Sequence, residues 1–208
     1  MMEFVDNTCT FDNGIVPQKD TKEYEMFMQT LTKSVAANAF FIYLFGIADR
    51  HNDNILFKIN PATHHLTGQI LHIDFGFILG QRVGMKFEDP TLGIKRNIVD
   101  LFKDNQAYKQ LLSMLTQFIF IFRKQIDTLF VILNTAQEVI SQEIKAKFGQ
   151  GGGNQAPNDV MLTQWLAERL SPEIADSDLD LKAQQLVQQN REKLFGDWLN
   201  DLFHHLAN

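Results

Sequence analysis

The alternation of apolar and polar stretches divides the chain into helical segments around one short β-rich region. Thr21 to Phe45 patterns as a helix. Thr21 is placed to cap it, Glu23 and Glu25 fall in its first turn where they complement the helix dipole, and Gly46 fits its end. Met1 to Cys9 reads as a strand, followed by an irregular linker with Gly14 and Pro17. Two short apolar runs, Ile55 to Ile59 and Gln69 to Ile73, are rich in β-branched residues. The segment joining them holds Asn60, Pro61 and Gly68, which predicts a hairpin with a long loop. Antiparallel pairing sets the start of one strand beside the end of the other, so Asn54 and Asp74 should meet at one hairpin edge. From Asp100 onward the period is helical, and Tyr108 to Glu138 is apolar on several faces and expected to be largely buried. Asp159 to Leu170 and Leu179 to Gln189 predict two short helices, with Ser171 and Pro172 turning between them. Leu194, Trp198, Leu202 and Leu206 recur every fourth residue, with Phe195, Leu199 and Phe203 one position on. That is an amphipathic helix over 190–208.

With 208 residues and 45% hydrophobic content, the chain can bury one sizeable core. It reads as one domain, 1–208, of α+β class and mostly α. The net charge of -6 argues against a broad basic face, so no nucleic-acid partner is expected. The single Cys9 excludes an internal disulfide and a multi-cysteine zinc site, and fits a cytoplasmic compartment. The first residues lack the charge and apolar pattern of a signal peptide. No transmembrane segment is expected. Val35 to Ile47 is shorter than the roughly 20 residues that a bilayer requires, and Leu111 to Leu133 is interrupted by Gln117, Arg123, Lys124, Gln125 and Asp127. The run Gln150-Gly151-Gly152-Gly153-Asn154 is a linker by composition. It lacks the Lys-Ser/Thr partner and the preceding strand of a phosphate-binding loop.

Two segments carry candidate chemistry: Asp49-Arg50-His51-Asn52-Asp53-Asn54 and His72-Ile73-Asp74-Phe75-Gly76. Asp and Asn side-chain oxygens are hard ligands that suit magnesium. An imidazole beside them can take a proton from an alcohol near neutral pH. Metal, base and carboxylates together are the parts of phosphoryl transfer. Taken singly, each residue is also an ordinary turn or surface group. The ordered pair of segments, each beside an apolar run, is the stronger signal. His72 reads as a structural residue behind the site, and His64 and His65 as a solvated loop rather than a metal pair.

D-R-H-x-x-N followed by H-I-D-F-G resembles the phosphatidylinositol 3-/4-kinase family, which includes the related large protein kinases. Ordinary protein kinases carry the triplet as H-R-D. Leu31 to Ile47 resembles the family helix that leads into the catalytic loop. Glu3-Phe4-Val5 resembles the hinge, and Trp165 to Asn208 is similar to the C-terminal helices of the phosphoinositide 3-kinases. The resemblance implies a protein-kinase-like C-lobe whose small β-hairpin carries the catalytic and metal-binding loops. Residues 1–9 are then hinge-like, 49–54 the catalytic loop and 74–96 the activation loop. The cofactors implied are ATP and magnesium, with manganese as the alternative. Asn54 and Asp74 become metal ligands, and His51 the base with Asp49 orienting it. Arg50 faces either phosphate charge or an internal ion pair. Glu3 and Val5 bond the adenine edge, and Leu56 and Ile73 lie below the ring. The family domain opens with a smaller lobe holding a phosphate-covering loop and an ATP-binding lysine. Nothing precedes the hinge-like segment here, so the chain resembles a C-lobe with the N-lobe absent and is expected to be inactive alone.

In related lipid kinases the activation loop selects the headgroup. Arg82 and Lys86 are the only bases before Glu88 and Asp89, while Lys95 and Arg96 lie beyond Pro90. Highly phosphorylated headgroups demand clustered bases, so the expected acceptor is phosphatidylinositol in membranes. Trp198, Leu199, Leu202 and Phe203 either pack on the lobe or touch the bilayer. The function implied is ATP-dependent phosphorylation of the inositol ring, of the 3-kinase type, by a cytoplasmic, membrane-peripheral protein with a regulatory subunit among its partners. Asp74 to Leu79 reads equally well as a 4-kinase. The alternatives are a related Ser/Thr protein kinase, whose terminal segment differs, and a non-catalytic lobe acting as a binding or regulatory module.

Overall fold

The computed structural model describes residues 5–48, 50–78, 91–102, 105–135 and 159–207, excepting the side chains of 105, 159–161 and 195–207. It forms two compact units: Met1–Leu115 with Asp180–Asn208, and Thr116–Leu179.

The first unit is organised by helix α1, Lys22–Phe45. Thr21 caps it, its hydroxyl oxygen accepting from the Tyr24 N–H at 3.1 Å, and Glu23 and Glu25 occupy the first turn. Such a cap contributes about 1 kcal/mol. Gly46, at φ 55°, closes the helix in the left-handed conformation that glycine adopts most readily. One face of α1 buries Phe27, Leu31, Val35, Ala36, Ala39, Phe40 and Leu44.

Three antiparallel strands, β1 (Thr8–Cys9), β2 (Ile55–Ile59) and β3 (Leu66–His72), form a sheet in that order. Ile55, Phe57, Leu66 and Ile70 are buried. Phe11 meets Phe57 edge-on, with ring centroids 5.2 Å apart. At the far edge of the sheet, α1 supplies polar partners for β3. Ser34 Oγ accepts from the Ile70 N–H at 2.8 Å and donates to the Ile70 carbonyl. These bonds satisfy backbone groups that an open strand edge would leave to water.

Three expectations need correction here. Among the described residues the first strand covers only Thr8–Cys9, because Asn7 takes a left-handed backbone at φ 54° and breaks the extended run, while residues 1–4 lie outside the described residues. Strand β3 begins at Leu66, so Gly68 lies inside it rather than in the loop. Gly68 sits at φ 86°, and a Cβ there would fall 2.3 Å from Phe27 O and 2.7 Å from Leu31 N. It is the point of closest approach between β3 and α1, and the strand register shifts opposite it, between Phe57 and Ile59. Finally, the two helices read as 179–189 and 190–208 are one helix.

The remaining α-helices among the described residues are α2 (Arg96–Leu101), α3 (Asn105–Arg123), α4 (126–135), α5 (Asp159–Leu170) and α6 (Leu179–Ala207). The long run expected from Tyr108 to Glu138 is therefore interrupted at Lys124 and Gln125. Arg123, just before the break, donates to the Ile174 carbonyl at 2.7 Å and pairs with Asp176. Ile121, Val131 and Ile132 are more than half exposed, so the run is less buried than its composition implies. Residues 136–158, which include the glycine-rich run, lie outside the described residues.

Candidate functional site

The pairing of Ile55 with His72 places the residue before β2 beside the residues after β3. The Ile73 N–H donates to the Asn54 carbonyl at 3.1 Å, so Asn54 and Asp74 share the hairpin edge as expected from antiparallel order. Asn54 ends a short turn, Asn52–Asn54, and is 6% exposed. Asp74 is exposed, at φ 56°. Its Oδ1 accepts from the Gly76 N–H at 3.1 Å, which fixes the turn that presents the carboxylate.

Two more ties lace the catalytic-type loop to this edge. Ala48 N–H donates to the Phe77 carbonyl at 3.0 Å. Arg50, 9% exposed, donates from Nε to the Ala48 carbonyl at 2.9 Å, from Nη1 to the Ile73 carbonyl at 2.8 Å, and from Nη2 to the Asp74 carbonyl. Its guanidinium also lies 5.6 Å from the centre of the Phe75 ring. One buried cation thus gathers the backbone on both sides of the site. This role was not readable beforehand, because main-chain acceptors leave no pattern in side-chain identity.

His51 faces solvent, its side chain 52% exposed, with Nδ1 3.7 Å from Asp53 Oδ2. An exposed pair at that distance orients the ring without contributing much stability. Leu56 and Ile73 are incompletely buried, Ile73 being 41% exposed, and Phe75 is 55% exposed. They form an apolar surface next to the polar edge. Val5 precedes β1, whose antiparallel pairing places it toward the Ile59 end of β2. The Asp6 carbonyl accepts from Lys58 Nζ at 2.8 Å and the Asn7 carbonyl from the Ile59 N–H at 2.8 Å. Five residue steps along β2, about 16 Å at 3.3 Å per residue, separate that end from Asn54.

Lys95 is the N-cap residue of α2, and Arg96 is that helix's first residue. Lys95 lines a small cavity together with Asn52 of the catalytic-type loop, Phe57 and Ile98. Glu3, Asp49, Arg82 and Lys86 lie outside the described residues. Trp198, Leu199, Leu202 and Phe203 lie on α6, but their side chains are outside the described set.

His72 is packed, as expected, but its buried Nδ1 has no hydrogen-bond partner among the described residues. Burial, reinforced by the charges of Arg50 and Lys95, holds its pKa down at about 4. The unfolded chain then binds a proton that the folded chain refuses. Stability is therefore complete above the ordinary histidine value of 6.5 and falls as pH drops from there toward 4. The expected loss is on the order of 3 kcal/mol. His72→Leu, measured by urea unfolding of metal-free protein between pH 7 and pH 4, should flatten that fall. An equally steep fall in the variant would assign it to other groups. His65 is less solvated than its loop position implied. Its Nδ1 lies 2.9 Å from Glu23 Oε2, tying the hairpin loop to α1, and this bond with that from Thr63 holds the Glu23 carboxyl below its usual range.

The donors fit a divalent cation of the hard class. One exposed carboxylate and one amide residue share the edge, and no group of three His, Cys, Asp or Glu side chains among the described residues forms a cage. Magnesium, which keeps water and phosphate ligands and needs few from protein, suits that set better than zinc.

An α-rich lobe, a helix leading into a D-R-H-type loop and a hairpin edge bearing an exposed Asp define a kinase-like lobe. The chain belongs to the family described as Phosphatidylinositol 3- and 4-kinase, which matches residues 4–143. It is 24% identical to Phosphatidylinositol 4-kinase beta of Danio rerio over 91% of this chain and 21% of that protein. It is 25% identical to Phosphatidylinositol 4-kinase beta of Homo sapiens, over 90% of this chain and 21% of that protein. It is 26% identical to Phosphatidylinositol 3-kinase 2 of Dictyostelium discoideum, over 91% of this chain and 9% of that protein. The chain thus spans about a fifth or less of these relatives, and both kinds match it about equally well.

Proposed function

We propose that this chain is the larger lobe of an enzyme that transfers the γ-phosphoryl group of ATP to the inositol ring of phosphatidylinositol. The observation that carries the reading is the hairpin edge. Asp74 is exposed there on a fixed left-handed turn, and the Ile73–Asn54 bond places it beside the loop that bears His51. Asn54 and Asp74 would hold a divalent metal, which would supply charge neutralisation for the phosphates. His51 takes the proton from the attacking ring hydroxyl, and Asp49 orients the imidazole. The hydroxyl oxygen bonds to the γ-phosphorus as the bond to the bridging oxygen breaks, and ADP leaves with that electron pair. Leu56 and Ile73 supply the apolar floor for the adenine, with Glu3 and Val5 at its edge. The surface above that floor needs a second lobe to close it, and positioning is most of the catalysis in this chemistry, so the 208-residue chain alone is expected to be inactive.

Two finer points belong to the same reading. The likeness of 165–208 to the phosphoinositide 3-kinases favours the 3-hydroxyl as acceptor. The sparse bases Arg82 and Lys86, set against Glu88 and Asp89, favour unphosphorylated phosphatidylinositol over its bisphosphate, whose extra charge finds too few partners. The test is phosphate incorporation into each lipid, in vesicles of matched surface charge, by the full-length protein that contains this chain, followed by chromatographic separation of the products. Preferential labelling of phosphatidylinositol at the 3-position is expected. A 4-phosphate product would overturn the positional assignment, and equal or greater use of the bisphosphate the loop argument. Transfer to protein Ser or Thr with no lipid product would overturn the lipid reading itself.

A further inference from the structure

Helix α6 buries Ala183, Leu186 and Val187 in a stripe, and the next position in that stripe is not apolar but Asn190, 3% exposed. Asn is a poor residue for a helix interior, and a buried amide is tolerated only when its partners are in place. Both are present. Asn190 Oδ1 accepts from the Ile94 N–H at 3.1 Å, and Nδ2 donates to the Ile94 carbonyl at 3.0 Å. One side chain, 96 residues away in sequence, thus satisfies both backbone groups of one residue, as a neighbouring strand would.

Ile94 lies at a junction. Before it, Gly93 at φ 66° is pressed against α1 and the catalytic-type loop. A Cβ at Gly93 would lie 3.1 Å from Ile42 Cγ2 and 3.8 Å from Arg50 Cγ. After it come Lys95 and Arg96, at the start of α2. Lys95 shares a cavity wall with Asn52. Arg50, whose stem faces Gly93, is the same residue whose guanidinium holds the carbonyls of Ile73 and Asp74. A shift of Ile94 therefore moves the two bases relative to His51 and Asp74.

We propose that Asn190 is a positioning residue for the phosphate acceptor: its buried amide fixes the Ile94 backbone and, through it, sets Lys95 and Arg96 beside the catalytic loop, where they meet the phosphodiester of the inositol lipid. The proposal rests on the lipid-kinase reading above and adds to it a residue on the C-terminal helix that touches neither ATP nor lipid. A latch that merely stabilised the fold would affect every kinetic constant together. A positioning residue separates them.

Asn190→Leu keeps the volume and removes both hydrogen bonds, and Asn190→Asp keeps only the acceptor. In the full-length protein, Asn190→Leu should raise KM for phosphatidylinositol vesicles about tenfold or more, while KM for ATP and lipid-independent ATP hydrolysis stay within about twofold. Asn190→Asp should fall between Asn190→Leu and the unaltered protein, and it carries the same comparison if Asn190→Leu does not fold. Hydrogen exchange at the Ile94 amide should accelerate by about tenfold or more in Asn190→Leu, with the Phe57 amide unchanged. Parallel shifts in the lipid and ATP constants, or an unaltered lipid KM in a folded variant, would overturn the proposal. Rapid Ile94 exchange in the unaltered protein would remove the clamp. Absence of any lipid phosphorylation by the unaltered protein would remove the reading on which the proposal rests.

Discussion

Asp74→Asn is expected to lower lipid phosphorylation by the full-length protein about a hundredfold to a thousandfold while leaving the fold intact. The geometry makes this an unusually clean substitution. Asp74 sits at φ 56°, where most side chains are strained but Asn is readily accommodated. Its Oδ1 accepts from the Gly76 N–H, and an amide oxygen accepts the same bond. The residue is exposed, so no buried charge is gained or lost. What disappears is one formal charge at the hairpin edge, where Asn54 and Asp74 would hold the proposed metal. The melting temperature should stay within about 2 °C, the shift that less than 1 kcal/mol produces in a chain of this size. Raising magnesium should recover part of the activity by mass action. A folded variant with full activity would take Asp74 out of the metal site and with it the central assignment.

The largest expected loss of stability is at Gly68. An alanine Cβ there would lie 2.3 Å from Phe27 O and 2.7 Å from Leu31 N, and both are backbone atoms of α1 that have no rotamer to change. Either β3 or α1 must move. Holding a non-glycine residue at φ 86° adds about 1 kcal/mol, and overpacking a tight contact adds about 1–3 kcal/mol. The expected cost of Gly68→Ala is therefore about 3 kcal/mol, a large share of the roughly 5–15 kcal/mol by which a typical domain is stable. Denaturant unfolding followed by circular dichroism measures it. A shift below about 0.5 kcal/mol, the range of an ordinary surface change, would mean that the strand and helix are not in this contact in solution. The effect should spread to the site, because β3 ends at His72 and carries Ile73 and Asp74 with it.

The helix leading into the site was legible residue by residue. Thr21, Glu23, Glu25 and Gly46 are local signals, each acting on the first or last turn of its own helix, and the structure uses every one. The meeting of Asn54 and Asp74 was legible as well, because antiparallel pairing of two short runs leaves few choices of register. So was the family, through the order of the residues around His51 and Asp74. Gly68 misled because a glycine among polar residues has the same local appearance in a turn as in a strand pressed against a helix. Only the position of α1 distinguishes the two. The break at Lys124 and the union of 179–207 into one helix were hidden for a related reason, since Arg123 and Asn190 spend their side chains on distant segments.

Sequence alone therefore determined the helical class, the caps, the strand pairing and the inventory of chemical groups, all of which depend on neighbours within a few residues or on a simple period. Tertiary structure decided which polar side chains act on the backbone of other elements. Arg50 across to Ile73 and Asp74, Ser34 to Ile70 and Asn190 to Ile94 each join residues more than 20 positions apart. Their partners are peptide groups, which every residue carries. A hydrogen bond to the main chain thus leaves no mark on the identity of its partner, and it becomes readable only when the chain is folded.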